Sequence, residues 1–178
     1  MNVTNITNID GADSRIGFNL GFRGEYNFSK NVYANVGLLW SMKGAKYSES
    51  YQGAEATIKL NPSYIEIPVA IGGRYFISDG LSIFAETGPY FAVGVCGKCK
   101  SEAKLGGLSA SEKIDYFGDD DDENSFGAKR FDAGWGFRTG VEVYKFQVHL
   151  GYEHGFVKVF EDTKCKNWNF NVGVTYMF

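Results

Sequence analysis

Apolar and polar positions alternate with period two along most of this chain, and the alternation falls into segments of strand length. Between Ser14 and Ser29, Phe18, Leu20, Phe22, Tyr26 and Phe28 share one face, while Gly17, Asn19, Gly21, Arg23, Glu25 and Asn27 share the other. Ala34, Val36, Leu38, Trp40 and Met42 then oppose Asn35, Gly37, Ser41 and Lys43, and Ile65, Ile67, Val69, Ile71 and Tyr75 oppose Glu66, Ala70, Gly72 and Arg74. A further segment runs from Leu81 to Val95. Ala133, Trp135, Phe137, Val141 and Val143 stand against Gly134, Gly136, Arg138, Gly140 and Glu142, and Phe146, Val148, Leu150 and Tyr152 against Gln147, His149, Gly151 and Glu153. The last segment sets Trp168, Phe170, Val172, Val174, Tyr176 and Phe178 against Asn167, Asn169, Asn171, Gly173 and Thr175.

The connections between these seven segments alternate in length. Those at 29–31, 78–80 and 144–145 are tight; those at 48–56, 96–130 and 161–166 are longer. Short turns at one end and long loops at the other are the habit of transmembrane β-barrels. Residues 96–130 carry Gly-Gly, several Ser and the acidic run Asp119 to Glu123, and read as one long surface loop. An even strand count requires one more strand before Ser14, and Met1 to about Ile6 can supply only a short one against the usual ~9–11 residues. The expectation is an all-β chain: a single domain over residues 1–178 forming an eight-stranded antiparallel up-and-down transmembrane β-barrel, its first strand truncated. Pro68 and Pro89 each remove a ladder donor, so bulges are expected there.

Alternation does not say which face points out, but three features place the apolar face outward. The polar face is rich in Gly, which suits the cramped interior of a small barrel. Its charges come in both signs, Arg23, Lys43, Arg74 and Arg138 with Glu25, Glu66, Glu86, Glu142 and Glu153, so enclosed charges have partners. The tryptophans Trp40, Trp135 and Trp168 all lie on the apolar face, eight to ten residues from the tight-turn end. At about 3.3 Å per residue and a tilt near 40° this is roughly 20–25 Å, close to the apolar band of a membrane barrel. Tyr26, Tyr75, Tyr176 and Phe178 would form the opposite aromatic girdle.

Composition narrows the picture further. Hydrophobics at 44%, aromatics at 16%, Gly 23 and only Pro 3 suit strands and tight turns. A net charge of −3 gives no support for nucleic-acid binding. No apolar run reaches the ~18 residues of a transmembrane helix. The opening MNVTNITNID lacks the basic start and apolar core of a signal peptide.

The segments YIEIPVAIGGRYF, ETGPYFAVGV, NVGLLWSMKGAKY and NFNVGVTYMF resemble the PorT-like outer-membrane β-barrel domain family, often labelled porin-family proteins. Glu66-Ile67-Pro68 and Gly88-Pro89-Tyr90 are the most specific pieces, and the similarity covers nearly the whole chain. The resemblance implies a Gram-negative outer membrane, a removed signal peptide, and insertion by the barrel-assembly machinery reading the terminal aromatic strand. It implies no common activity.

Candidate chemistry is sparse. His149 and Glu153 share a face, but residues four apart on a strand are about 13 Å from each other, too far for a base and its orienter. They read as members of an interior polar network with Arg23, Glu25, Lys43, Glu66, Arg74, Glu86, Arg138 and Glu142. Cys96, Cys99 and Cys165 lack a second pair for zinc and suit a disulfide, either Cys96–Cys99 or one of these to Cys165. The Asp119–Glu123 run lacks the ligand spacing of a calcium loop. No cofactor, metal or nucleic acid is expected, and the partners expected are the bilayer, the assembly machinery and an unidentified extracellular ligand, with the protein a monomer. The function expected is non-enzymatic envelope structure or surface binding, adhesion included. A narrow solute channel, a soluble ligand-binding barrel and a lipid-modifying enzyme are the alternatives.

Overall fold

A computed structural model describes residues 1–6, 12–51, 54–105, 108–118, 125–159 and 165–178. The strands are β1 (Asn2–Ile6), β2 (Ala12–Gly17), β3 (Asn19–Asn27), β4 (Val32–Met42), β5 (Ala45–Tyr51), β6 (Ala54–Ser78), β7 (Leu81–Leu105), β8 (Leu108–Phe117), β9 (Ser125–Ala128), β10 (Phe131–Val143), β11 (Phe146–Gly155) and β12 (Asn167–Tyr176). All belong to one sheet, and pairing runs antiparallel except between β8 and β9. β1 pairs with both β2 and β12, so the sheet returns to its start at the level of β1, while among the described residues β3 pairs with β4 alone.

The sequence reading expected eight strands; among the described residues the sheet contains twelve strand segments. Phe18 interrupts β2 from β3, and Lys43-Gly44 separates β4 from β5, where Gly44 takes a φ of 152° that residues with a Cβ rarely adopt. The tight turns lie where expected. Gly80 and Tyr144, at φ 77° and 52°, supply the left-handed residues of the two shortest. The bulges do not sit at the prolines. The β6–β7 ladder lapses over Val69-Ala70 beside Pro68 and resumes in the same register, while the shifts fall at Ser63/Tyr64 and Phe76/Ser78.

The loop expected at 96–130 is corrected more deeply. β6 and β7 each run 25 residues, against the ~9–11 of a membrane crossing, and β8 adds to their outer end as a hairpin partner. Residues 48–51 and 54–56 are likewise strand, in β5 and β6. This outer part loses the greasy-outside contrast because both of its faces meet water or protein, so alternation weakens while backbone pairing persists. The acidic run at 119–123 lies outside the described residues.

Burial follows the alternation with the apolar side out. Phe22 is 80% exposed, Leu20 71% and Val174 68%, while Glu66 is 0%, Lys43 1% and Asn169 1%. A conventional apolar cluster lies at the outer end, where Leu60, Tyr64, Tyr90, Cys99, Tyr116, Phe117, Val159 and Cys165 pack together. Tyr64 and Tyr116 meet Phe117 edge to face at 5.5 and 4.9 Å. Inward glycines make room for rings: a Cβ at Gly72 would stand 2.4 Å from Tyr33, and one at Gly94 2.2 Å from Phe117.

Candidate functional site

Side chains that alternation turns inward form three charge clusters inside the wall, two of them joined by a hydrogen bond. Glu86 of β7 is the centre of the first. Its carboxylate accepts from Arg138 Nε at 2.5 Å, Asn35 Nδ2 at 2.5 Å, Tyr33 Oη at 3.1 Å and Arg23 Nη1 at 3.3 Å. The second lies nearer the tight turns. Arg74 bridges Glu25 at 3.0 Å and Glu142 at 2.5 Å, and Glu142 also accepts from Ser82 and Gln147, each at 2.7 Å. Arg138 Nη2 donates to Gln147 at 3.4 Å, joining the two clusters.

The third cluster sits below the apolar plug. Lys43 Nζ lies 2.8 Å from Glu66 and 3.7 Å from Asp132, over the face of Tyr90 at 4.5 Å. Tyr90 and Asn167 donate to Asp132 at 3.3 and 3.0 Å. Glu153 accepts from Asn169 at 2.7 Å, and His149 lies against Gly173. Paired and hydrogen-bonded charges of this kind survive enclosure where single ones do not. The cavity beside Glu86 and Arg138 holds about 30 Å³, and a second, of about 250 Å³, lies between β3 and β12.

All ten expected network residues therefore lie on the inner side, and nine enter these clusters. His149 is the tenth; among the described residues its Nδ1 has no hydrogen-bond partner. The sequence puts Asn35 and Gln147 on the enclosed face without assigning them to the network, and it leaves out Tyr33 and Asp132, which parity with Gly37 and Glu142 marks as inward.

The outward side carries the expected aromatics. Trp135, His154 and Trp168 share one cross-strand row, and Trp40 pairs with Ile65. Trp135 satisfies its indole donor on Thr87 Oγ1 at 2.7 Å while its ring stays 49% exposed. At the turn end Tyr26, Tyr75, Tyr176 and Phe178 are exposed, with edge contacts between Tyr176 and both Phe146 and Phe178.

No disulfide joins the cysteines. Cys96 and Cys99 lie on one continuous strand, the first exposed and the second buried, so the expected Cys96–Cys99 pair faces opposite sides of the wall. Cys99 and Cys165 share the apolar plug, and burial pushes the Cys99 thiol up from its ordinary pKa. Burial raises the Tyr116 hydroxyl in the same plug well above its usual range. On the outer face, hydrogen bonds from Lys100 and Lys59 hold the Glu102 carboxyl down at about 2.

The sequence matches the family model for the outer membrane protein beta-barrel domain over residues 1–161. No curated protein matches it. Among solved structures, the attachment invasion locus protein Ail of Yersinia pestis aligns over 99% of this chain and 93% of its own, at 16% identity and a TM-score of 0.40.

Proposed function

Since the chain belongs to the outer membrane protein beta-barrel domain family and resides in the outer membrane of a Gram-negative bacterium, we propose that it is a non-enzymatic, non-conducting barrel whose tall outer strands form a surface binding platform. The twelve segments group into eight staves: β1; β2 with β3; β4 with β5; β6; β7; β10; β11; and β12. β8 and β9 belong to the platform. β1 is a short stave of five rungs. Among the described residues β3 pairs with β4 alone, and the lower half of β12 faces it across the 250 Å³ cavity. Within the family we read the chain as PorT-like, on the strength of Glu66-Ile67-Pro68 and Gly88-Pro89-Tyr90, and its terminal strand as the segment read by the barrel-assembly machinery.

The filled interior is the observation that carries the reading. Among the described residues, ion-paired side chains occupy the lower lumen and an apolar plug the outer mouth, an arrangement that obstructs the passage of a solute. The surplus length of β6 and β7 stands clear of the membrane and supplies the surface for contact. Planar-bilayer recordings test the first half: conductance no greater than an empty bilayer is expected, and discrete channel steps would contradict it. Trimming residues 54–60 with 99–117 tests the second. The shortened protein should still fold but lose binding to its extracellular ligand, and unchanged binding would place that site elsewhere.

A further inference from the structure

Strand register lines up four lysines across the outer extension. Lys46 of β5 faces Lys59 of β6, Lys59 faces Lys100 of β7, and Lys100 faces Lys113 of β8. Directly opposed residues project from the same face. Here that face is the outside, since Ala45, Leu60 and Cys99 beside them are buried within and Ile114 packs on the plug. With neighbouring strands about 4.8 Å apart, the row spans roughly 14 Å.

Like charges set directly opposite each other destabilise a sheet, and this row repeats the arrangement three times. Among the described residues only Glu102 answers it, pairing with Lys59 at 3.2 Å and with Lys100. Two residues nearer the membrane, Lys98 pairs with Asp115. A cavity of about 750 Å³ opens on this side, where Lys98, Lys100, Lys113 and Arg130 outnumber the single carboxylate Asp115 around the apolar Val95 and Phe117. Cations around apolar side chains match an amphipathic anion.

Position identifies which anion. Lys59 is six residues beyond Ile65, the partner of Trp40. At about 3.3 Å per residue and a tilt near 40° that is roughly 15 Å past the tryptophan level, in the sugar and headgroup layer of the outer leaflet. The row looks sideways along the membrane, so its ligand stands beside the barrel. We propose that the Lys46–Lys59–Lys100–Lys113 row, with Lys98 and Arg130, binds the phosphate-bearing headgroup of an outer-leaflet glycolipid. This rests on the barrel standing in the outer membrane with the extension outward, and not on the extension having a further ligand.

The test is lipid retention by the full chain folded into nanodiscs containing neutral phosphatidylcholine with either diphosphoryl lipid A or its dephosphorylated form. Native mass spectrometry reads the bound lipid, and heat-modifiable gel mobility reports folding separately. The wild-type protein should retain the phosphorylated form about tenfold more. That preference should collapse from about 0.1 M to about 0.5 M salt. The variant K59Q/K100Q/K113Q should lose it, while K59R/K100R/K113R keeps it. A folded protein that retains both lipids equally, or a glutamine variant that keeps the preference, overturns the site while leaving the barrel intact. Binding of soluble polyphosphate without any preference among the lipids also overturns it, because the ligand is then a free polyanion.

Discussion

Replacing Glu86 with Gln keeps the side chain's volume and removes only its charge. Arg138, 9% exposed in its side chain, and Arg23, at 19%, then face each other with no carboxylate between them. Tyr33 and Asn35 must share what acceptor capacity remains. Breaking one partner of an enclosed ion pair costs about 3–5 kcal/mol; the partial exposure of Arg23 discounts its share, which leaves about 3 kcal/mol. Urea unfolding of the protein folded in vesicles is the assay. With a slope of about 1–3 kcal/mol per molar, the midpoint should fall by roughly 1–3 M. Adding Arg138→Met to Glu86→Gln should recover at least about 1 kcal/mol, since an apolar replacement for a buried charge is often neutral. A single variant that unfolds within about 0.2 M of the parent would refute the claim that Glu86 anchors the lumen.

Other outcomes follow from the same geometry. Gly72→Ala drives a methyl into the ring of Tyr33 and should cost about 1–3 kcal/mol, while Gly73→Ala, whose nearest neighbour would be a carbonyl at 3.8 Å, should cost under about 0.5 kcal/mol; equal unfolding midpoints would contradict this. Glu102 is held down to about 2, so its pairing is fully present above the unfolded carboxyl pKa of about 4.3 and lost only as pH falls through about 2. Carboxyl carbon shifts in micelles should therefore still report the ionised form near pH 3, and a midpoint at 4 or above would contradict it. A maleimide should label Cys96 quickly on the folded protein and reach Cys99 and Cys165 only after unfolding; immediate labelling of all three would place the plug elsewhere.

The membrane-crossing part was legible because its two faces meet opposite surroundings. Trp135, Phe137 and Val141 touch the outside while Arg138 and Glu142 are enclosed, so every second residue reports its side. The outer extension was not legible for the converse reason. Lys98, Lys100 and Glu102 alternate with residues that face an apolar plug built from distant segments, and the Gly- and Ser-rich neighbourhood imitates a loop. Parity also located the charges of the lumen, but not their pairing. Arg23 and Glu86 are 63 residues apart, and their meeting depends on how β3, β4, β6 and β7 register around the wall. The lysine row depends on register across four strands, and the sequence alone carries no sign of it.

Tryptophan fluorescence of the protein folded in vesicles of brominated lipids tests the orientation of the wall most directly. With the apolar face against acyl chains, bromines near the headgroup end should quench Trp40, Trp135 and Trp168 strongly, those near the chain ends weakly, and aqueous iodide little. Emission untouched by bromine at any depth would put those rings out of reach of lipid and turn the barrel inside out.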